Sequence, residues 1–155
     1  MFSKIEVVLA GEVDRGVKRI LDDQDLGIKH VGLLSFDQAI ELQSDADLLL
    51  LIDTPTKNAD DAMFFPSKLL DYMLAGRKVI AITNSNSTTA DVVRNSGLGD
   101  VVDHNDAKAL MKIIVKSFQS WELSEGDYFL RGKADEFYSA QNQASRLIDL
   151  FHDMK

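Results

Sequence analysis

The chain has 155 residues, of which 45% are hydrophobic and 27% are charged, and this length is enough for one domain with a sizeable core. Its formal net charge of −8 at pH 7 argues against a nucleic-acid partner, because neutralising phosphates requires a basic surface. The sequence contains no cysteine, which excludes disulfides, thiolate catalysis and cysteine-ligated metal sites.

The first half of the chain alternates short apolar runs with amphipathic stretches. Residues 5–10 are rich in β-branched side chains and end at Gly11, a pattern that predicts a strand. The next stretch has one apolar helical face, formed by Val13, Val17, Ile20 and Leu21. Ser35 is a suitable N-cap for a short helix. The predicted elements are a strand over residues 5–10, a helix over 13–21, a strand over 28–31 and a helix over 36–42.

The second half continues the alternation with a longer apolar run. Residues 48–52 are all leucine or isoleucine, and a strand with apolar side chains on both faces needs cover on both sides, as in a parallel sheet. After a polar loop over residues 53–62, Pro66 opens a helix that Gly76 ends. The apolar stripe of that helix consists of Leu69, Leu70, Met73 and Leu74. Further elements are predicted over residues 79–82 (strand), 88–94 (helix, capped by residues 87–89), 100–103 (strand), 106 onward (helix) and 135–154 (helix).

Strands and helices that alternate in this way specify a parallel sheet with helices on both faces. We therefore expect an α/β protein with one domain over residues 1–155, a Rossmann-like three-layer α/β/α arrangement, a mainly parallel sheet and additional C-terminal helices. Ligands of such folds bind beyond the carboxyl ends of the strands, so the candidate functional loops follow Ala10, Ile52, Ile82 and Val102. The longest apolar run is too short to span a bilayer, and the first residues lack a signal-peptide profile, so a cytoplasmic protein is expected.

One of these loops leads into a helix start that suits a phosphorylated ligand. At Pro66, Ser67 and Lys68, free backbone N–H groups and the positive end of the helix dipole point outward. The Ser67 hydroxyl and the Lys68 ammonium add donors to what is then a diphosphate cradle. Asp71, one turn further, is placed to accept hydrogen bonds from ribose hydroxyls. In the plainer alternative, Ser67 only caps the helix, and Lys68 and Asp71 are solvated surface residues.

The same segment, Phe65-Pro66-Ser67-Lys68-Leu69-Leu70-Asp71-Tyr72, continues through Met73-Leu74-Ala75-Gly76-Arg77-Lys78-Val79-Ile80-Ala81. It resembles the donor-binding helix of glycosyltransferases with the GT-B fold, and most closely a bacterial subgroup that builds capsules and exopolysaccharides. Residues 36–39, 46–50, 87–93 and 97–99 are similar to neighbouring parts of the same family. The resemblance covers roughly residues 5–106.

The resemblance implies that the chain is the nucleotide-sugar-binding, C-terminal domain of such an enzyme. The reaction would transfer a sugar from a nucleotide-diphosphate donor to an acceptor hydroxyl during polysaccharide biosynthesis, with no cofactor and no obligatory metal. Lys68 would act in catalysis by stabilising the charge that develops on the leaving β-phosphate. The amides of Lys68 and Leu69 would hold the diphosphate together with Ser67, and Asp71 would hold the ribose. The substrate-binding residues implied are Pro66, Ser67, Lys68, Leu69 and Asp71, with Gly11 and Thr88 on neighbouring loops contacting phosphate or base.

The sequence also departs from the family pattern. Asp71 stands where the family has the second of two glutamates, and Met63 replaces the first, for which Asp60 or Asp61 is a candidate substitute. The partner expected from the family is an N-terminal acceptor-binding domain. That domain and the first strand are expected to be absent here, so that the chain is a C-terminal fragment, inactive alone, whose membrane association would occur only through the missing part.

Two other interpretations remain open. The first is a flavodoxin-like binding or signalling module of the receiver type, in which Asp53 would accept a phosphoryl group; however, residues 11–14 form a poor acidic pocket. Asp53 otherwise either faces the ligand crevice or simply ends a strand. The second is a fragment that keeps the fold and binds nothing. The three histidines, at positions 30, 104 and 152, have no metal-ligand spacing, so no metal site is predicted.

Overall fold

The computed structural model describes residues 4–23, 27–55, 66–124 and 138–153. The chain divides into two compact units, Met1–Leu42 and Gln43–Lys155, and the expected single domain stays a prediction. Strands and helices alternate, and every strand pair is parallel, which confirms the predicted α/β class. The elements are β1 (Val7–Ala10), α1 (Arg15–Asp23), β2 (Ile28–Gly32), α2 (Phe36–Asp45), β3 (Leu48–Ile52), α3 (Lys68–Ala75), β4 (Lys78–Ile82), α4 (Thr88–Asn95), β5 (Gly99–Val102), α5 (Ala107–Leu123) and α6 (Ala140–Asp153).

The amino-terminal unit contains a two-stranded parallel sheet of β1 and β2. The carboxylate of Asp14 accepts hydrogen bonds from the N–H groups of Gly16 at 2.7 Å and Val17 at 2.9 Å, which fixes the start of α1. At the start of α2, Ser35 Oγ accepts from the Gln38 N–H, and Gln38 Oε1 accepts from the Ser35 N–H. This reciprocal capping box confirms Ser35 as the N-cap, and α2 extends three residues beyond the predicted end.

The carboxy-terminal unit is built on a three-stranded parallel sheet with the order β3-β4-β5. Connections between neighbouring parallel strands are almost always right-handed, and two of them in succession place their helices, here α3 and α4, on the same face of the sheet. The buried cluster on that face joins both helices to the sheet; it comprises Leu49, Leu51, Leu69, Met73, Val79, Ala81, Val92, Val93 and Leu98. Successive strand residues point to opposite faces, so Lys78 lies on the other side, where its Nζ donates to Ser117 Oγ of α5. This unit therefore has three layers.

The structure corrects the expectation that β3 is covered on both faces. Leu49 and Leu51 are buried, whereas Leu50 is 43% and Ile52 is 64% exposed. The reason is that α3 and α4 fill one face of the sheet, while α5 covers the other face beside β4 and β5, where Ile80 and Val102 are buried. The predicted stripe of α3 is correct for Leu69 and Met73 and wrong for Leu70 and Leu74, which are exposed, because only one side of this short helix meets the sheet.

The final helix differs from its predicted bounds. It runs from Ala140 to Asp153, and its side chains at residues 140–152 are exposed, whereas the predicted residues 135–137 and 154 lie outside the described ranges. Among the described residues, no helix has both the length and the apolar character needed to cross a bilayer.

Replacing Tyr72 with phenylalanine is expected to reduce the loss of stability at alkaline pH. Burial, and secondly the charge of Asp71, raise the pKa of the Tyr72 phenol above its ordinary value of 10.0. The unfolded chain therefore releases this proton first, and stability falls as pH rises from about 10 towards the folded-state pKa. Urea unfolding of both proteins at about pH 9 and about pH 11 measures this. Equal losses in the two proteins would contradict the assignment to Tyr72.

Candidate functional site

The carboxyl ends of β3, β4 and β5 lie at one edge of the sheet, because the strands are parallel. Helices α3 and α4 connect the carboxyl end of one strand to the amino end of the next, so both helices begin at this same edge. We call it the carboxyl edge and define it by Asp53, Ser67, Lys68, Thr83, Ser87 and Thr88. Three of the four predicted functional loops, those after Ile52, Ile82 and Val102, start here.

The start of α3 does not use the Ser67 hydroxyl as a cap. An N-cap serine normally has an extended backbone, which lets its side chain reach back to the first free N–H groups. Ser67 instead has φ −57° and ψ −34° and makes no side-chain capping hydrogen bond. The alternative that Ser67 merely caps the helix is therefore wrong for this side chain. Ser67 and Lys68 are both exposed, so a hydroxyl and an ammonium face solvent at the positive end of the helix dipole.

The other predicted residues of this segment differ in accessibility. Pro66 is buried, and its carbonyl accepts from the Leu69 N–H at 3.0 Å. The Leu69 side chain is fully buried in the core. The expected phosphate contact from the Leu69 amide is therefore not available in this arrangement, whereas the Lys68 amide has no acceptor in the described part of the chain. Asp71, in the first turn of α3, is partly buried.

A buried polar network joins the ends of β3 and β4 to the start of α4. Thr83 Oγ1 donates to Asp53 Oδ2 at 2.9 Å and lies 2.8 Å from Ser87 Oγ. Ser87 Oγ in turn accepts from the Ala90 N–H at 3.1 Å and caps α4, as predicted. Thr88, the first residue of that helix, is partly buried.

Sequence reasoning missed Thr83. The signal was present in the pairing, because β3 and β4 run in register from Leu48–Lys78 to Ile52–Ile82, and Asp53 and Thr83 are the residues that follow each strand. The Asp53 N–H also donates to the Ile82 carbonyl at 3.0 Å, so the pairing continues past the strand end. Asp53 therefore does more than end a strand: its carboxylate is attached to the core through a neighbouring hydroxyl.

Gly11 lies in the amino-terminal unit. Its φ of 111° suits glycine, since side chains disfavour positive φ. Its N–H donates to the Gly32 carbonyl at 2.7 Å, and its carbonyl lies 2.8 Å from His30 Nε2. Its amide is thus already engaged, and it has no side chain to offer a phosphate.

Four of the remaining candidates lie outside the described residues: Asp60, Asp61, Met63 and Phe65. Within the described ranges, no group of three or more histidine, aspartate or glutamate side chains is arranged to hold a metal ion. When the sequence is compared with protein-family models and with curated proteins, it matches none of them.

Proposed function

We propose that the carboxyl edge binds a nucleoside diphosphate, and that the chain is the donor-binding part of a glycosyltransferase of polysaccharide biosynthesis. The observation that carries the proposal is the start of α3, where the exposed Ser67 hydroxyl and Lys68 ammonium lie beside an amide without an acceptor among the described residues. A helix N-terminus with such donors is suited to a phosphate group.

The proposed chemistry follows from these charges. As the bond between the sugar and the diphosphate breaks, negative charge builds on the leaving phosphate. Lys68 and the dipole of α3 stabilise that charge. One preorganised donor of this kind lowers the activation barrier by roughly 3 kcal/mol. Asp71, one turn along α3, accepts hydrogen bonds from ribose hydroxyls. Thr88 lies at the same edge and contributes a further hydroxyl.

The resemblance of residues 65–81 to the donor-binding helix of GT-B glycosyltransferases supports the same function. On that basis the partner is an acceptor-binding domain, and the sugar passes to an acceptor hydroxyl without a cofactor. The acceptor, in this proposal, is a growing polysaccharide such as a capsule precursor.

Calorimetric titration with UDP, GDP and ADP tests the proposal. We expect at least one nucleotide to bind, and Lys68→Ala to weaken that binding about tenfold, because a hydrogen-bonded charge is removed. Lys116→Ala is the matched control. Lys116 is also an exposed lysine, but it lies on α5 next to Ser117, which contacts Lys78 at the amino end of β4. Removing its charge is therefore expected to leave the affinity unchanged.

The outcomes separate clearly. If the unmodified chain binds none of the three nucleotides, the proposal is wrong. If Lys68→Ala and Lys116→Ala weaken binding equally, only net charge matters, and the start of α3 is not the binding site.

One observation favours a second candidate function. Asp53 and Thr83 directly follow neighbouring strands and are hydrogen-bonded at 2.9 Å, which would place a hydroxyl beside a phosphoacceptor carboxylate in a flavodoxin-like signalling module. Incubation with acetyl phosphate and Mg²⁺ tests this, since the carboxylate would take the phosphoryl group and release acetate. A mass increase of one phosphoryl group that Asp53→Asn abolishes would favour this candidate over nucleotide binding.

A further inference from the structure

The direction of the hydrogen bonds in the buried network is fixed by the groups themselves. A carboxylate only accepts, whereas each hydroxyl has one hydrogen to donate. Thr83 must therefore give its hydrogen to Asp53 Oδ2. Ser87 must then donate to Thr83 Oγ1, 2.8 Å away, and it accepts from the Ala90 N–H. The chain of donors runs from the first turn of α4 to Asp53 and leaves no alternative order.

This order holds the Asp53 carboxylate in one orientation. Thr83 is 1% exposed and Ser87 is 4% exposed, so water does not compete for their hydrogen bonds, and a satisfied buried network is rigid. The main chain of Asp53 is fixed as well, by the bond from its N–H to the Ile82 carbonyl. Asp53 itself is only partly buried, and its Oδ1 has no hydrogen-bond partner in the part of the chain that the structure describes.

We infer that Asp53 binds a hydroxyl group of the nucleotide-sugar, with Thr83 and Ser87 as positioning residues; this inference rests on the proposed function. A carboxylate repels phosphate, so the diphosphate belongs at Ser67 and Lys68, and Asp53 takes a neutral, hydroxyl-bearing part of the same ligand. Such a hydroxyl comes either from the ribose or from the transferred sugar, and both offer the same donor to the carboxylate.

Affinity measurements on Asp53→Asn test the inference and separate the two sources. The amide oxygen of asparagine can still accept from Thr83, so the fold is preserved, while the charged acceptor for the ligand is lost. The probes are UDP and GDP and their hexose derivatives, UDP-glucose and GDP-mannose. We expect Asp53→Asn to lower the binding affinity for at least one probe about tenfold. Equal weakening of a nucleotide and its sugar derivative assigns the ribose, whereas weakening of the derivative alone assigns the transferred sugar.

Two variants of Thr83 test the positioning role. Thr83→Val removes the hydroxyl at nearly constant volume, and we expect it to weaken the same probe as Asp53→Asn, by about threefold or more. Thr83→Ser restores a hydroxyl that can donate to Asp53 and is expected to restore the affinity. Asp45→Asn is the charge-matched control, since Asp45 ends α2 just before the amino end of β3, at the opposite edge of the sheet.

The outcomes distinguish this inference from the proposed function. If the unmodified chain binds no nucleotide, the proposed function fails, and the inference fails with it. Suppose instead that nucleotides bind, that Lys68→Ala lowers their affinity, and that Asp53→Asn and Asp45→Asn have the same affinity for every probe. The proposed function then stands, and the inference is overturned. Circular dichroism of each variant verifies that it is folded before affinity is compared.

Discussion

Replacing Gly99 with alanine is expected to destabilise the carboxy-terminal unit severely. A Cβ at this position would lie 1.7 Å from the Val79 carbonyl oxygen and 2.7 Å from its carbonyl carbon. Gly99 is the register partner of Val79 in the parallel pair β4–β5, and Val79 is completely buried. Since the obstacle is the backbone of a central strand, no side-chain rotation relieves the clash. We expect a cost above about 4 kcal/mol, which is exceptional for a point mutation.

Urea unfolding of Gly99→Ala and Gly97→Ala provides the comparison. Gly97 has φ 66°, and a Cβ there would meet no atom within 4 Å, so its substitution costs only the backbone strain of a left-handed residue, roughly 1–2 kcal/mol. If Gly99→Ala lowers the free energy of unfolding by no more than Gly97→Ala does, Gly99 does not lie against the backbone of β4 as described.

Replacing Lys78 with methionine is expected to destabilise the protein by about 3 kcal/mol, because it leaves a carboxylate without its partner. Lys78 is buried, and its Nζ lies 2.6 Å from Asp100 Oδ2. No donor besides this ammonium reaches Asp100 Oδ2 in the described ranges. The value lies at the low end for buried pairs, since the Asp100 side chain is 35% exposed and water can solvate it in part.

A double-mutant cycle with Asp100→Asn measures the coupling between the two charges. We expect the double variant to be less destabilised than the sum of the single variants. The exposed pair of Lys29 and Glu6, with Nζ and Oε1 3.8 Å apart, is the control, and surface pairs of this kind couple by less than about 1 kcal/mol. A coupling at Lys78 as small as that of the surface pair would contradict the role given to burial.

The sequence predicts the order of elements well because each depends on local pattern. The apolar run of β3 and the N-cap Ser35 of α2 can be read from consecutive residues. Burial on the two faces of β3 cannot be read in this way, because it depends on which helices pack against which face of the sheet. Leu50 and Ile52 are as apolar as Leu49 and Leu51, and only the placement of α3, α4 and α5 decides which pair is exposed.

In the candidate site, too, local sequence predicts some features, while others depend on backbone angles and strand register. Proline at position 66 predicts a helix that opens there, and α3 begins two residues later, at Lys68 after the N-cap position Ser67. Whether the Ser67 hydroxyl caps α3 depends on a backbone angle that the residue type does not fix, since Ser87, with ψ 157°, does cap its helix. The bond between Thr83 and Asp53 depends on strand register across 30 positions, which no local pattern specifies.

The most direct test of the central claim is an NMR titration of the chain with UDP, GDP and ADP, in which backbone amide shifts are followed residue by residue. Binding at the carboxyl edge predicts that at least one nucleotide shifts the amides of Ser67, Lys68 and Asp71, while those of α6 stay unchanged. If none of the three nucleotides perturbs these residues, the carboxyl edge is not a nucleotide site, and the proposed function is contradicted.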